Sequence, residues 1–338
     1  MKLRTMPKKV IIGIVVGVIV VLAVVLFIQK QAGKYPGEMK KVTIGATTQE
    51  LSTLIWIAED QGYFNQNGLD AEVKGYDTGI ETINALFAGE VDFADTVDFV
   101  ISGLGLERDD FKVLASIDTA RINYIIARKD RGIQKPSDLK GKRVGLKQGS
   151  SSEFYISKFL TFNGLSLQDV ELVYSHPPEM PDMISQGEID VTITWHPHNY
   201  HIKNRLGENA VSWSTQVGQD VFWVILGMEE FVQANPETVE RLLRALVQAE
   251  TFTRMRQEEA KEIIARRVNL DSAYIESVWE DFDFEVTLSQ AFVLTLEDEA
   301  RWRIANKPDA QKEMPNYLNF IYLDGLEVVK PEAVTVIR

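Results

Sequence analysis

A short serine-rich turn is the part of this sequence best suited to holding an anion. Gly149-Ser150-Ser151-Ser152 stands at the start of a predicted helix, where backbone N–H groups and the positive end of the helix dipole are available to a ligand. Serine is also a good N-cap, so one hydroxyl could cap its own helix while its neighbours face a ligand. The turn predicts a site for a carboxylate, a sulfonate or a similar head group, and simple capping is the alternative.

Further polar side chains stand at the ends of predicted strands, where open parallel sheets place their ligands. Asp95 and Asp118 are placed to meet an amine or a ring N–H, and Trp195 could either stack on a ligand or pack between two parts of the fold. Together with the serine turn, the candidate ligand-binding residues are Thr48, Gln49, Thr78, Gly79, Asp95, Thr96, Asp118, Gly149, Ser150, Ser151, Ser152, Trp195 and His196.

The sequence carries no signature of an enzyme or of a metal centre. It contains no cysteine, which excludes disulfide scaffolds, thiolate metal sites and cysteine nucleophiles. A phosphate-binding Gly-x-x-x-x-Gly-Lys loop, a Gly-x-Ser-x-Gly elbow and a His-Glu-x-x-His helix are all absent. His196, His198 and His201 have a spacing that could bind zinc, but no carboxylate or thiolate pattern accompanies them. We therefore expect no catalysis, no cofactor and no metal.

Charge is distributed unevenly along the 338 residues. Residues 1–41 carry eight Lys or Arg and one Glu, whereas the rest of the chain carries 28 basic and 48 acidic side chains. An acidic body repels the phosphate backbone, so we expect no binding to nucleic acid. The same charge disfavours a bare anion as the ligand. It favours a small molecule with an acceptor-rich head and a donor end, such as an amino-sulfonate or a pyrimidine, over nitrate.

The N-terminal residues predict a membrane anchor. Residues 1–9 are short and basic, and residues 10–28 form an uncharged, mostly apolar run. As a helix, this run would reach about 28 Å, close to the thickness of the hydrocarbon core of a bilayer. The chain continues in Gln29-Lys30-Gln31-Ala32, a poor cleavage site for a signal peptidase. We expect one uncleaved transmembrane helix, with a cleaved signal peptide or a buried core helix as the alternatives.

Short sequence words recur in the same order about 100 residues apart, which indicates an internal repeat. Asn67-Gly68-Leu69 matches Asn163-Gly164-Leu165, and Gly89-Glu90-Val91-Asp92 matches Gly187-Glu188-Ile189-Asp190. Each copy of the second word follows an apolar helical stretch and precedes an apolar strand. Strands that alternate with helices predict parallel sheets joined by crossover helices.

The repeat predicts two similar α/β lobes that face each other across a cleft. After a linker at 29–41, residues 42–125 are expected to build lobe 1 and residues 126–221 to build lobe 2. Residues 222–338 would then return to lobe 1 and continue as helices that carry no chemistry. The cleft between the lobes would be lined by the strand-to-helix loops that hold the candidate residues.

The chain also contains longer sequence motifs through which it resembles the solute-binding proteins of ABC importers for nitrate, sulfonates and taurine. This group includes binders of thiamine precursors. The resemblance implies a two-lobed, type II periplasmic-binding-protein fold that closes on its ligand. The cysteine-rich motif of the related pyrimidine-synthesising enzymes is absent, which argues against that activity. The matching segments are Ala58–Phe64, Asn67–Asp70, Ala85–Phe93, Asp138–Gly145, Gly149-Ser150, Gly187–Asp190 and Trp195-x-Pro197.

From this resemblance we expect an extracytoplasmic receptor that captures a small solute and delivers it to the permease and ATPase subunits of an importer. The solute would be sulfonate-, taurine- or nitrate-like, or pyrimidine-like, and the resemblance does not name it. With the predicted anchor, the body would lie on the periplasmic or extracellular side of a cell membrane, held by a single span. The alternative is a membrane-tethered sensing domain that reports ligand occupancy to a partner protein.

Overall fold

The chain folds around two separate β-sheets. The computed structural model describes residues 35–216, 218–306 and 313–337. Within them, runs rich in Val, Ile and other apolar residues form strands, because such side chains pack well on a pleated sheet. The strands are β1 (Lys40–Thr47), β2 (Leu69–Tyr76), β3 (Phe93–Val97), β4 (Phe111–Ala120), β5 (Tyr124–Arg128), β6 (Arg143–Leu146), β7 (Glu171–Tyr174), β8 (Val191–Thr194), β9 (Ala210–Ser214), β10 (Val221–Met228) and β11 (Phe282–Asp283).

The two sheets share one arrangement of parallel strands. The six-stranded sheet has the order β11-β4-β10-β3-β1-β2, and the five-stranded sheet has the order β7-β6-β8-β5-β9. Strand β1 lies between β2 and β3 and is parallel to both, and β6 lies in the same way between β7 and β8. The predicted α/β arrangement is therefore confirmed, but the sheets are mixed rather than parallel. Strand β10 pairs antiparallel with β3 and β4, and β5 pairs antiparallel with β8 and β9. We call the body around the six-stranded sheet lobe 1 and the body around the five-stranded sheet lobe 2.

Helices connect the parallel strands, and most of the longer ones follow β10. The longest, at Pro236–Met255, packs against the first helix of lobe 1. The helices are α1 (Thr53–Asp60), α2 (Tyr63–Gln66), α3 (Gly79–Phe87), α4 (Asp98–Leu104), α5 (Ser151–Phe162), α6 (Met180–Gln186), α7 (His198–Leu206), α8 (Glu229–Ala234), α9 (Pro236–Met255), α10 (Gln257–Arg267), α11 (Ser272–Val278), α12 (Gln290–Asn306) and α13 (Leu323–Val329).

The repeated Gly-Glu-Val/Ile-Asp motif follows a helix and precedes a strand in both lobes. Gly89 and Gly187 follow helices α3 and α6 with φ of 71° and 78°, a left-handed conformation that glycine adopts without strain. The aspartate of each word then ties the next strand to the sheet. Asp92 Oδ2 accepts the backbone N–H of Thr43 at 2.7 Å, and Asp190 makes the equivalent bond to the start of β6 at 3.1 Å.

Two crossing segments connect the lobes. The chain passes from lobe 1 to lobe 2 between β4 and β5, and it returns between β9 and β10. The segments are hydrogen-bonded to each other, because Asn123 N donates to Gln216 Oε1 (2.8 Å) and Thr215 N donates to Asn123 O (3.2 Å). Strand β11 then pairs with β4, so the C-terminal part of the chain returns to lobe 1.

The predicted transmembrane helix at 10–28 lies outside the described residues. No helix among residues 35–216, 218–306 and 313–337 is both long and apolar enough to cross a bilayer.

Candidate functional site

A cavity of about 320 Å³ lies between the two lobes. Lobe 1 contributes the loops after β1 and β2, together with helix α4. Lobe 2 contributes the turn before α5 and the residue after β8, and the first crossing segment and the start of β10 complete the wall. The cavity brings together seven of the predicted ligand-binding residues, which are Gln49, Thr78, Gly79, Gly149, Ser150, Ser151 and Trp195.

In the serine turn, one serine caps helix α5 and another is exposed to the cavity. Ser150 is the N-cap of α5, because its Oγ accepts the N–H of Ser152 at 3.3 Å and donates to the carbonyl of Lys147 at 2.7 Å. Ser152 is fully buried and does not line the cavity. Ser151 lines the cavity, and neither its hydroxyl nor its backbone N–H is hydrogen-bonded within the described residues. Capping and ligand contact are therefore compatible in this turn.

A second helix, α3, also begins at the cavity. Thr78 caps it in a capping box with Glu81, and Gln49 Nε2 donates to the carbonyl of Asp77 at 2.9 Å. A Cβ at Gly79 would lie 2.5 Å from Thr96 Oγ1, so only glycine allows this close approach. Thr96 is buried, donates to the carbonyl of Gly79 at 3.0 Å and supports the helix start from behind. It does not line the cavity, contrary to the prediction.

The two aspartates expected to meet a ligand amine lie in the core instead. Asp95 is fully buried, accepts the N–H of Thr47 at 3.1 Å and accepts the hydroxyl of Ser52. Asp118 is fully buried and accepts the N–H of Asp283 at 3.1 Å. Burial raises the pKa of Asp95 to about 7 and raises the pKa of Asp118 well above its ordinary value. Neither carboxyl lines the cavity, so this structure does not place them where a ligand amine could reach them.

Two other predicted residues also lie away from the cavity. Thr48 is exposed, and its hydroxyl donates to the carbonyl of Tyr76 at 3.2 Å. His196 is buried, and its Nε2 lies 3.1 Å from Asp281 Oδ2 beside the ring of Tyr274. This histidine joins lobe 2 to the segment before β11. Within the described part of the chain, no group of three or more His, Cys, Asp or Glu could hold a metal ion.

Apolar side chains that the sequence interpretation missed form a large part of the cavity wall. Most of them come from the end of β3, from α4, from the first crossing segment and from β10, whose contributions to a cavity are not visible in local sequence patterns. An apolar wall with a few polar groups is typical of small-molecule sites. The residues are Val97, Phe99, Val100, Leu104, Ile122, Val221 and Trp223.

Two cations from opposite lobes also line the cavity. Lys147 follows β6 in lobe 2, and it forms no ion pair or hydrogen bond through its ammonium group among the described residues. Arg303 belongs to α12, the helix that packs on α4 of lobe 1. Its Nη2 donates to the carbonyl of Phe99 at 2.6 Å, and its guanidinium lies 3.7 Å from the centre of that ring. Exposed Glu107 is the acidic residue of the lining, so the lining is more basic than the acidic body.

The position of each missed polar residue explains why it was missed. Lys147 directly follows strand β6, so the strand-end rule could have found it. Asn123 lies in the crossing segment and lines the cavity, but only the two-lobed arrangement makes that segment part of a wall. Arg303 lies in a C-terminal helix expected to carry no chemistry. Its place in the cavity depends on how α12 packs, for which the sequence carries no signal.

Two α/β lobes with a ligand-sized cavity between them define a periplasmic-binding-protein fold. The chain belongs to the family described as NMT1/THI5 like, whose model matches residues 49–260. It is 25% identical over 248 residues to an aliphatic sulfonates-binding protein of Bacillus subtilis (strain 168), covering 71% of this chain and 74% of the relative.

Solved structures with low sequence identity share the fold. The periplasmic aliphatic sulphonate binding protein SsuA of Escherichia coli has a TM-score of 0.73 and 18% identity, with 83% of this chain and 92% of that chain covered. The desulfurization enzyme DSZB has a TM-score of 0.62 and 15% identity, with 87% of this chain and 99% of that chain covered. The fold is thus common to binding proteins and at least one enzyme, so function has to be argued from the cavity.

Proposed function

We propose that this chain is the solute-binding component of an ABC importer, and that it captures a small molecule with an anionic head in the cavity between its lobes. The observation that carries the proposal is the set of groups that converge there. Ser151 at the start of α5 and the ammonium group of Lys147 have no competing partner in the described residues. An anion between them would gain charge-assisted hydrogen bonds and a favourable helix dipole.

The rest of the cavity favours an apolar body on the ligand. Phe99, Trp195 and Trp223 offer ring surfaces, whereas Asp95 and Asp118 are not available to an amine. We therefore place an organic sulfonate or carboxylate ahead of a zwitterion and ahead of nitrate, which has no apolar part. The name of the Bacillus subtilis relative, an aliphatic sulfonates-binding protein, supports the same choice.

We infer that binding closes the two lobes around the ligand. We take the boundaries between the lobes at the two crossing segments, within a few residues of the expected division into lobe 1 at 42–125 plus 222–338 and lobe 2 at 126–221. Within the described part of the chain, only the two crossing segments connect the sheets through the backbone, which suits a hinge. The closed form would be the one delivered to permease and ATPase subunits. The apolar run at 10–28 would anchor the body outside the cytoplasm, and no observation in the described residues favours the alternative of a sensing domain.

Isothermal titration calorimetry with a panel of alkanesulfonates, matched alkanoates, taurine and nitrate tests the proposed function. We expect the organic anions to bind more tightly than nitrate. Ser151→Asp places a like charge at the proposed head-group site and should weaken binding at least tenfold, or about 1.4 kcal/mol. Thr161→Asp adds the same charge at an exposed position on the last turn of α5 and should leave affinity unchanged.

Two results would contradict this function. If Ser151→Asp bound the panel as tightly as the wild type, the head group would not lie at the start of α5. If the wild type bound no member of the panel, an anionic organic solute would not be the ligand.

A further inference from the structure

The side chain of Asn123 is a buried amide with no partner in the cavity wall. Asn123 is 1% exposed and lines the cavity. Its Oδ1 is buried without a hydrogen bond, and its Nδ2 donates to no other group among the described residues. Buried polar groups are nearly always hydrogen-bonded, so an unpaired amide in the wall of a ligand-sized cavity needs an explanation.

The backbone of Asn123, rather than its side chain, forms the hydrogen bonds that connect the two crossing segments. Its N–H donates to Gln216 Oε1 at 2.8 Å, and its carbonyl accepts from the N–H of Thr215 at 3.2 Å and from the Thr215 hydroxyl at 3.0 Å. These bonds hold the two crossing segments together whatever the side chain is. The Oδ1 of the nearby Asn199 is also buried without a hydrogen bond, but its Nδ2 donates to the carbonyl of Ile122 at 2.9 Å, so the Asn199 side chain does help to hold the crossing segment. Connecting the lobes therefore does not require the Asn123 amide.

Asn123 brings an amide to a mostly apolar part of the wall, where the indole Nε1 of Trp223 is the other buried polar atom without a hydrogen bond among the described residues. The first crossing segment contributes Ile122 and Asn123 to the cavity wall, and β10 contributes Val221 and Trp223. The cationic and hydroxyl groups of the wall come from other elements. A ligand that binds its anionic head at Ser151 and its body on the rings would bring a further substituent to this apolar part of the wall.

We propose that Asn123 selects ligands that carry an uncharged hydroxyl or carboxamide in addition to the anionic head. The proposal rests on the proposed function and specifies its substrate class. An amide offers both donors and an acceptor, so a group that also donates and accepts satisfies both ends. A methyl group would leave the buried amide unpaired, and sites built to hydrogen-bond a substrate group reject analogues that lack it.

Calorimetry with three alkanesulfonates of equal length, ending in a methyl, a hydroxyl or a carboxamide group, tests the proposal. We expect the wild type to bind the hydroxyl and carboxamide compounds at least tenfold more tightly than the methyl compound. Asn123→Leu, of similar size but apolar, should abolish this preference and bind the methyl compound at least as well. Asn84→Leu, at an exposed position on α3 outside the cavity, should keep the preference.

Each other outcome counts against the proposal in a distinguishable way. Equal binding of all three compounds by the wild type would overturn the role of Asn123 and leave the proposed function standing. Preference retained by Asn123→Leu would show that another residue recognises the polar group. If Asn123→Leu does not fold, as judged by circular dichroism, Asn123→Ala replaces it with the same expectation. Failure of the wild type to bind any of the compounds would overturn both proposals.

Discussion

Buried carboxylates close to the cavity accept hydrogen bonds from backbone N–H groups near strand ends, and they do not line the cavity. Asp98 Oδ1 accepts the N–H of Phe99 at 2.7 Å, and its Oδ2 accepts the N–H of Phe222 at 2.8 Å, which ties α4 to β10. Asp95 plays the same part at the ends of β1 and β3. Burial raises the pKa of both carboxyl groups to about 7, because the ionised form loses its hydration. At the residue scale, these side chains position the strands and the helix that form the cavity wall.

The stability of the protein should depend on the protonation of Asp95. Its pKa is higher in the folded chain than in the unfolded chain, so the folded state binds the proton more tightly. The resulting stabilisation is complete below the unfolded pKa, near 4, and is lost as the pH rises through about 7. Asp95→Asn keeps an acceptor for the N–H of Thr47 but does not titrate.

Urea denaturation at pH 5, 6, 7 and 8 measures this dependence. We expect the free energy of unfolding to fall more steeply with pH in the wild type than in Asp95→Asn, by a few kcal/mol over the range. Other buried acids titrate in both proteins and cancel in the difference. Equal slopes would mean that Asp95 is already ionised in the folded protein at pH 5.

At the scale of elements, α5 connects the cavity to a second contact between the lobes. The helix starts at the cavity, and its Phe154 packs against lobe 1, with ring centres 6.2 Å from Phe99 and 5.9 Å from Trp302. Further along, Lys158 Nζ lies 2.8 Å from Asp298 Oδ2 on α12. One helix thus carries both the proposed head-group site and part of the surface that holds the lobes together.

Breaking the ion pair between Lys158 and Asp298 should weaken ligand binding from a distance. Lys158→Glu places two carboxylates opposite each other and disfavours the closed arrangement. Because the pair is partly exposed, the expected loss of affinity is small, about two- to fivefold. The reversed pair, Lys158→Glu with Asp298→Lys, should recover most of it.

Calorimetry together with small-angle X-ray scattering checks this prediction. The radius of gyration of the wild type should decrease when ligand is added, and that of Lys158→Glu should require more ligand for the same decrease. Unchanged affinity and scattering in Lys158→Glu would show that this contact does not contribute to closure.

At the scale of the whole molecule, charge and attachment both bear on function. The chain has a formal net charge of −13, yet Lys147 and Arg303 line the cavity. Local cations therefore offset the repulsion that the body exerts on an approaching anion. The apolar run at 10–28 would keep this acidic body at the membrane surface, close to the permease it is proposed to serve.

The mature protein should retain its N-terminal residues. No good signal-peptidase site follows the apolar run, so the intact mass of protein extracted from membranes should include residues 10–28. Gln29→Ala with Gln31→Ala creates an Ala-x-Ala sequence and serves as the control, which should release a shorter chain from the membrane. A wild-type chain that begins after residue 28 in most molecules would contradict the anchor.

The sequence by itself determined the architecture and part of the site. Repeated words such as Gly89–Asp92 and Gly187–Asp190 were enough to predict two α/β lobes, because helix ends and strand starts are encoded by local residue types. The serine turn and the loops around Gln49 and Thr78 were found by the rule that strand ends face the ligand. Local patterns suffice where the backbone itself forms the site.

Only the tertiary structure decided which side chains reach the cavity. Asp95, Asp118 and His196 satisfy the same strand-end rule, yet they turn into the core or into the contact between the lobes. Arg303 reaches the cavity from a helix whose sequence gives no sign of it. The direction of a side chain depends on packing between elements that are distant in the chain, and a pattern of neighbouring residue types does not contain that information.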